Sequence, residues 1–158
     1  MKKLSESIWR NISQRSEGIK TRKEENINNF DLYELREYVE SIYKSKVDRI
    51  SICTHSYSDR STEDNCLDID VIQASMRDFE PSPLKFSYNP ARGYVSLFHG
   101  LHIEITDRFF KDFEKKFKLD TEGFYIWITE KSGNCTNQTY INVLNLFFND
   151  IQEYYKEI

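Results

Sequence analysis

Glycine and proline are scarce in this chain of 158 residues, at 5 and 3. That scarcity excludes collagen-like and low-complexity disordered classes, which depend on those two residues. The cysteines, Cys53, Cys66 and Cys135, are odd in number and irregularly spaced, which is not the signature of a disulfide framework. No stretch approaches the roughly 20 apolar residues that a membrane span needs. The opening Met1-Lys2-Lys3-Leu4-Ser5-Glu6 lacks the apolar run of a secretory signal. The expected compartment is therefore a reducing cytoplasm. There the sequons at Asn134-Cys135-Thr136 and Asn137-Gln138-Thr139 carry no glycan, since glycosylation requires secretion. Apolar residues are also modest at 39%, but 15% of the chain is aromatic. Phe and Tyr bury large areas per residue, so a chain of single-domain length can still build a compact core.

What is present is charge, and it is unevenly placed. Residues 1–23 hold Lys2, Lys3, Arg10, Arg15, Lys20, Arg22 and Lys23 against Glu6 and Glu17, a balance of +5. The whole chain carries -4, so residues 24–158 carry -9. A basic arm on an acidic body is the expected organisation. Within the arm Leu4, Ile8, Trp9 and Ile12 recur at helical spacing. Ser5 or Ser7 can cap this short amphipathic helix and Gly18 can end it. About ten residues of helix are marginal alone in water, so this one needs a surface to lie on. Residues 19–30 are polar and read as a linker, which makes 1–30 an N-terminal segment and 31–158 one domain.

In the body, Asp31 opens a helix with Leu32, Leu35, Val39 and Ile42 along one face, running to about Lys46. Strands are expected at 48–55, 67–71, 85–88, 94–98, 101–106 and 124–129. Ser56 to Asn65 reads as a loop, and Asn89-Pro90-Ala91-Arg92-Gly93 and His99-Gly100 as turns between hairpin strands. Asp107 is expected to cap a helix through about Phe117, and a last helix to run from about Thr139 to Lys156. A run of strands between helices predicts an α+β fold, an antiparallel sheet of five to six strands with helices packed on one face. The expected core is Leu35, Val39, Ile42, Ile50, Ile52, Ile69, Val71, Ile103, Ile105, Phe113, Phe117, Ile126, Ile128, Leu144, Phe148 and Ile151.

Candidate chemistry is thin. Cys53-x-His55 and His99-x-x-His102 lack the matching second pair that a zinc site uses, so no metal or other cofactor is expected, and Cys53 reads as a small buried hydrophobe. Asp68 and Asp70 share one strand face and, with Glu104, could hold a divalent ion or perform acid/base work. The same pattern describes the solvent face of a half-buried strand, which is the favoured reading. Glu114-Lys115-Lys116 has the letters of a nuclease motif but falls in a helix. His55 lies near Thr54, Ser56 and Ser58, though proximity in sequence does not make a triad. Aromatic and basic residues interleave at Lys85-Phe86-Ser87-Tyr88 with Arg92 and Tyr94, and at Arg108-Phe109-Phe110-Lys111; most of these rings read as core. No catalytic residue is assigned.

The first 25 residues resemble an N-terminal segment of proteins of crAss-like phages and related phages of gut Bacteroidales. The matching residues are Leu4-Ser5-Glu6-Ser7-Ile8-Trp9, Arg15-Ser16 with Gly18, and Arg22-Lys23-Glu24-Glu25. The resemblance implies a phage protein whose N-terminal segment is shared by unrelated bodies and read by one common receptor, part of the particle or its assembly machinery. The expected function is thus a non-enzymatic, virion-associated or packaged protein that docks to a protein partner through Leu4, Ile8, Trp9, Ile12, Arg15, Arg22 and Lys23. Two alternatives stay open: a small metal-dependent enzyme using the acidic residues, and a nucleic-acid-binding accessory protein using the basic arm.

Overall fold

The computed structural model describes residues 26–56, 63–71 and 84–158. The chain divides into two compact units, Met1–Phe30 and Asp31–Ile158. Among the described residues of the first, Asn26 caps a 3-10 turn over Ile27–Asn29 by accepting the Asn28 N–H.

The second unit starts with helix α1, Leu32–Tyr43, fixed at its N-terminus by a capping box: Asp31 accepts the Glu34 N–H, and the Glu34 carboxylate accepts the Asp31 N–H. Strands β1 (Val47–Ser56), β2 (Glu63–Val71), β3 (Leu84–Asn89) and β4 (Tyr94–His99) follow, then β5 (Ile103–Ile105) and helix α2 (Asp107–Phe113). The hairpin of β6 (Phe117–Glu122) and β7 (Tyr125–Glu130) leads to helix α3 (Asn137–Asn149), one further turn α4 (Ile151–Tyr154) and β8 (Tyr155–Glu157). Six strands form an antiparallel sheet in the order β1-β2-β3-β4-β7-β6, while β5 and β8 pair separately. This is the α+β architecture that the run of strands between helices predicts.

Strand alternation gives the sheet two different faces. On one, Ile69, Phe86, Leu97 and Ile126 stand in a row across four strands, beside a second row of Leu67, Tyr88, Val95 and Ile128. All eight are buried. Helix α3 covers them: Phe147 meets Phe86 edge-on at 4.9 Å, and Tyr140 stacks on Tyr88 at 5.0 Å. Phe109, Phe113 and Tyr154 extend this aromatic core from α2 and α4. Each buried tyrosine hydroxyl finds a partner, as burial of a phenol requires. Tyr88 donates to Asn137 at 2.9 Å, Tyr154 to Asp112 at 2.8 Å, and Tyr140 to the Leu67 carbonyl at 3.4 Å. Burial pushes the Tyr88 hydroxyl up to about 12 and raises Tyr140 well above its ordinary value.

Several sequence expectations need correction. Ile42 is 43% exposed, because Tyr43 takes the core seat in the last turn of α1, against Phe148 and bonded to Asn145. Ile50, Ile52 and Ile105 are half-buried, since β1 is an edge strand and β5 lies outside the main sheet. Helix α1 stops at Tyr43 rather than Lys46. Thr106, not Asp107, is the N-cap of α2, and that helix ends at Phe113, so Phe117 begins a strand. Residues 63–65, read as loop, belong to β2, which starts at Glu63. The last helix breaks at Asp150, and its final residues become β8. The turn before β4 does need its glycine: Gly93 has φ +76°, and a Cβ there would meet the Asn134 side chain at 2.6 Å.

Candidate functional site

The face of the sheet turned away from the core helices carries most of the chain's candidate chemistry. On β2 the side chains alternate, so that Asp64, Cys66, Asp68 and Asp70 share this face while Leu67, Ile69 and Val71 enter the core. The three carboxylates are not solvated as the alternation suggests. Asp64, Asp68 and Asp70 are 6%, 4% and 5% exposed. Alternation shows only that this face is not the apolar one; it does not say whether the face is wet.

Each buried carboxylate is matched by a basic side chain from a neighbouring strand or turn. Arg92, in the β3–β4 turn, places Nε 3.3 Å from Asp64, which also accepts the Asn89 amide at 3.2 Å. His55 of β1 places Nε2 3.2 Å from Asp68 Oδ2. Arg49 lies 3.1 Å from Asp70 Oδ2, with Lys85 of β3 at 3.9 Å from the other oxygen. This pairing follows from register: Arg49 stands directly opposite Asp70, and Lys85 opposite Asp70 on the other side. Buried carboxylates left unpaired would cost several kcal/mol, so the cations are a condition of folding this strand inward.

Around Asp68 the geometry has a catalytic look but a different logic. Ser87 donates to Asp68 Oδ1 at 2.6 Å, while His55 uses Oδ2. The carboxylate therefore stands between the hydroxyl and the imidazole. In a nucleophile–base–acid relay the imidazole must take the hydroxyl proton, which requires the histidine in the middle. Here one carboxylate orients two neighbours. Cys53, expected to be a buried hydrophobe, is half-buried with its sulfur 3.3 Å from Ser51 Oγ, and it lies opposite Cys66. Cys135 is buried against the Ile128 carbonyl, and burial pushes its thiol up to about 11. That thiol is a poor nucleophile at neutral pH.

Glu104 does not join the carboxylates. It lies on β5, in the separate two-stranded sheet, exposed and 3.4 Å from Lys156. Among the described residues no group of three His, Cys, Asp or Glu side chains is placed to hold a metal ion. His99 is half-buried, which lowers its pKa, and its ring meets Phe124 edge-on. Glu114 closes α2 and Lys115 and Lys116 form the turn after it, so the three do not share a strand face. Phe86 and Tyr88 are core, as expected, and Tyr94 is half-buried. Leu4, Ile8, Trp9, Ile12, Arg15, Arg22 and Lys23 lie outside the described residues. Among the described residues no helix is long and apolar enough to cross a membrane.

The other half of the same face is aromatic, and it was not anticipated. Tyr94, Phe98, Tyr125 and Trp127 occupy alternating positions on β4 and β7 and touch in sequence: Phe98 to Tyr125 at 5.1 Å, Tyr125 to Trp127 at 5.3 Å, Trp127 to Tyr94 at 4.9 Å. The legible signal was the i, i+2 spacing in each strand; the pairing of β4 with β7 was not legible. A separate cleft of about 440 Å³ lies between α3 and the start of β6, lined by Lys116, Phe117, Glu130, Asn142, Asn145 and Asn149. Two of its polar groups have internal duties, since Glu130 accepts the Thr139 hydroxyl and Asn145 accepts the Tyr43 hydroxyl. No family model, no curated protein and no solved structure matches the chain.

Proposed function

We propose that this chain is a phage-encoded docking protein, a virion-associated or packaged component that engages a protein partner through its N-terminal segment. The observation that carries this reading is the segregation of charge and apolar spacing: +5 in residues 1–23, with Leu4, Ile8, Trp9 and Ile12 at helical intervals, against -9 in the rest. The pairing of Asp64, Asp68 and Asp70 with Arg92, His55, Arg49 and Lys85 supports it, because the body meets the charge of its own buried acids with its own cations. The same pairing argues against an enzyme built on Asp68, Asp70 and Glu104. In the docked state Trp9 is the anchor, and Arg15, Arg22 and Lys23 speed encounter with an acidic partner more than they hold it.

The test is affinity capture of particle and assembly proteins from infected cells, using the full chain and its Trp9→Ala variant. One specific partner should be retained by the first and weakened roughly thirtyfold in the second, the loss that follows from removing an anchor worth about 2 kcal/mol. Equal capture by both would refute the docking role. Binding that instead transfers to nucleic acid and falls steeply with added salt would favour the accessory-protein reading.

A further inference from the structure

The aromatic half of the sheet face has a property that the proposed N-terminal docking does not use. Tyr125 and Trp127 stack nearly parallel, at 12° and 5.3 Å between ring centroids, so the two rings stand as one preformed pair on this face. Tyr125 is 42% exposed, as is Phe124 at the hairpin tip. Phe98 and Tyr94 extend the surface on either side and are half-buried. Directly opposite these rings on β6, the edge strand of the sheet, stand two carboxylates: Asp120 pairs in register with Trp127, and Glu122 with Tyr125. Both acids are exposed and neither is ion-paired among the described residues, unlike the acids of β2. Lys118, also on β6, is the one cation on this stretch of the strand, leaving the β6 border net negative, while Lys85, opposite Phe98 on β3, lies 3.9 Å from Asp70.

We infer that this strip, Tyr94, Phe98, Tyr125 and Trp127 bordered by Asp120 and Glu122, docks a Lys- or Arg-bearing polypeptide segment of a partner protein. The argument is charge complementarity of two kinds at one place. An aromatic face is the negative end of the ring quadrupole and attracts a cation held within about 6 Å of its centre. The carboxylates next to the rings supply the counter-charge from the edge. Alternate side chains of an extended segment recur at about 7 Å, the spacing of Asp120 and Glu122 along their strand. Successive cationic side chains on one face of such a segment therefore meet successive acid–ring pairs. Nucleic acid also stacks on aromatic rows, but its phosphates would be brought against the two carboxylates. This site is independent of the N-terminal docking reading and stands or falls separately.

The chain contains two tryptophans, Trp9 and Trp127, so full-length protein carrying Trp9→Phe reports on Trp127 alone. Titrated with hexa-arginine, its emission should change saturably, and Asp120→Asn with Glu122→Gln should weaken the binding by about five- to tenfold, as expected for two exposed charge pairs. Tyr125→Ala should weaken it as well, with the carboxylates intact. These three positions are exposed, so the substitutions leave the core untouched. An unresponsive Trp127, unchanged affinity in the double variant, or tighter binding of an oligothymidylate or hexaglutamate than of hexa-arginine would overturn the inference.

Discussion

The two faces of the six-stranded sheet solve the same problem with opposite chemistry. The helix-covered face is a close-packed array of aliphatic and aromatic rings. The tyrosine hydroxyls admitted to it are tied to partners, Tyr88 to the buried Asn137 and Tyr140 to the Leu67 carbonyl. The other face buries three carboxylates of β2, made tolerable by partners that strand register delivers to Asp70 and that a turn and β1 bring to Asp64 and Asp68. The first face is stabilised by area removed from water, which is insensitive to how neighbours are ordered along the chain. The second depends on particular pairs, so a register slip of one residue would leave buried acids without partners. Burial alone therefore does not identify a hydrophobic core, and acids on an alternating strand are not thereby at the surface.

The comparison can be broken first on the apolar side. Ile69→Ala removes a fully buried side chain from the central row and should cost about 2–5 kcal/mol in equilibrium denaturation, from lost transfer energy plus a cavity. A cost near zero would mean that this face is not the core. On the polar face Asp68→Asn keeps the volume but removes the charge shared by His55 and Ser87. A cost of about 1–3 kcal/mol is expected, moderated because the His55 side chain is 35% exposed and partly hydrated. The loss should be largely absent when the background already carries His55→Gln and Ser87→Ala; full additivity in that cycle would show the network to be incidental. Smallest of all should be Ile42→Ala, within about 0.5 kcal/mol, because that side chain faces water while its neighbour Val39 is buried. If Ile42→Ala proves as costly as Val39→Ala, the assignment of Tyr43 to the core seat is wrong.

Much of the core was legible in the sequence. Ile69, Val71, Ile126 and Ile128 lie at strict alternation, and such a pattern fixes which side chains can share a face before any partner strand is known. The helix start at Asp31 and the turn at Gly93 were legible for the same reason: both are local, within four residues of backbone. The errors lie where strand pairing outvotes the pattern within a segment. Lys118-Leu119-Asp120-Thr121-Glu122 has one apolar residue and no strand signal of its own, yet it adds to the sheet because β7 offers an edge. Tyr155 to Glu157 reads as the end of a helix, but β5 offers it a partner 50 residues away in sequence.

Composition and order of residues by themselves determined the class of fold, the faces of the central strands, the helix start at Asp31 and the separation of basic from acidic charge. These properties are local, or are sums that folding does not alter. Tertiary structure alone decided that Asp68 and Asp70 are buried and paired, that Glu104 belongs to another sheet, and that Tyr94, Phe98, Tyr125 and Trp127 form one aromatic strip. The reason is that strand order, unlike strand periodicity, is set by which edges meet, and β5, α2 and β6 all lie between β4 and its neighbour β7 along the chain.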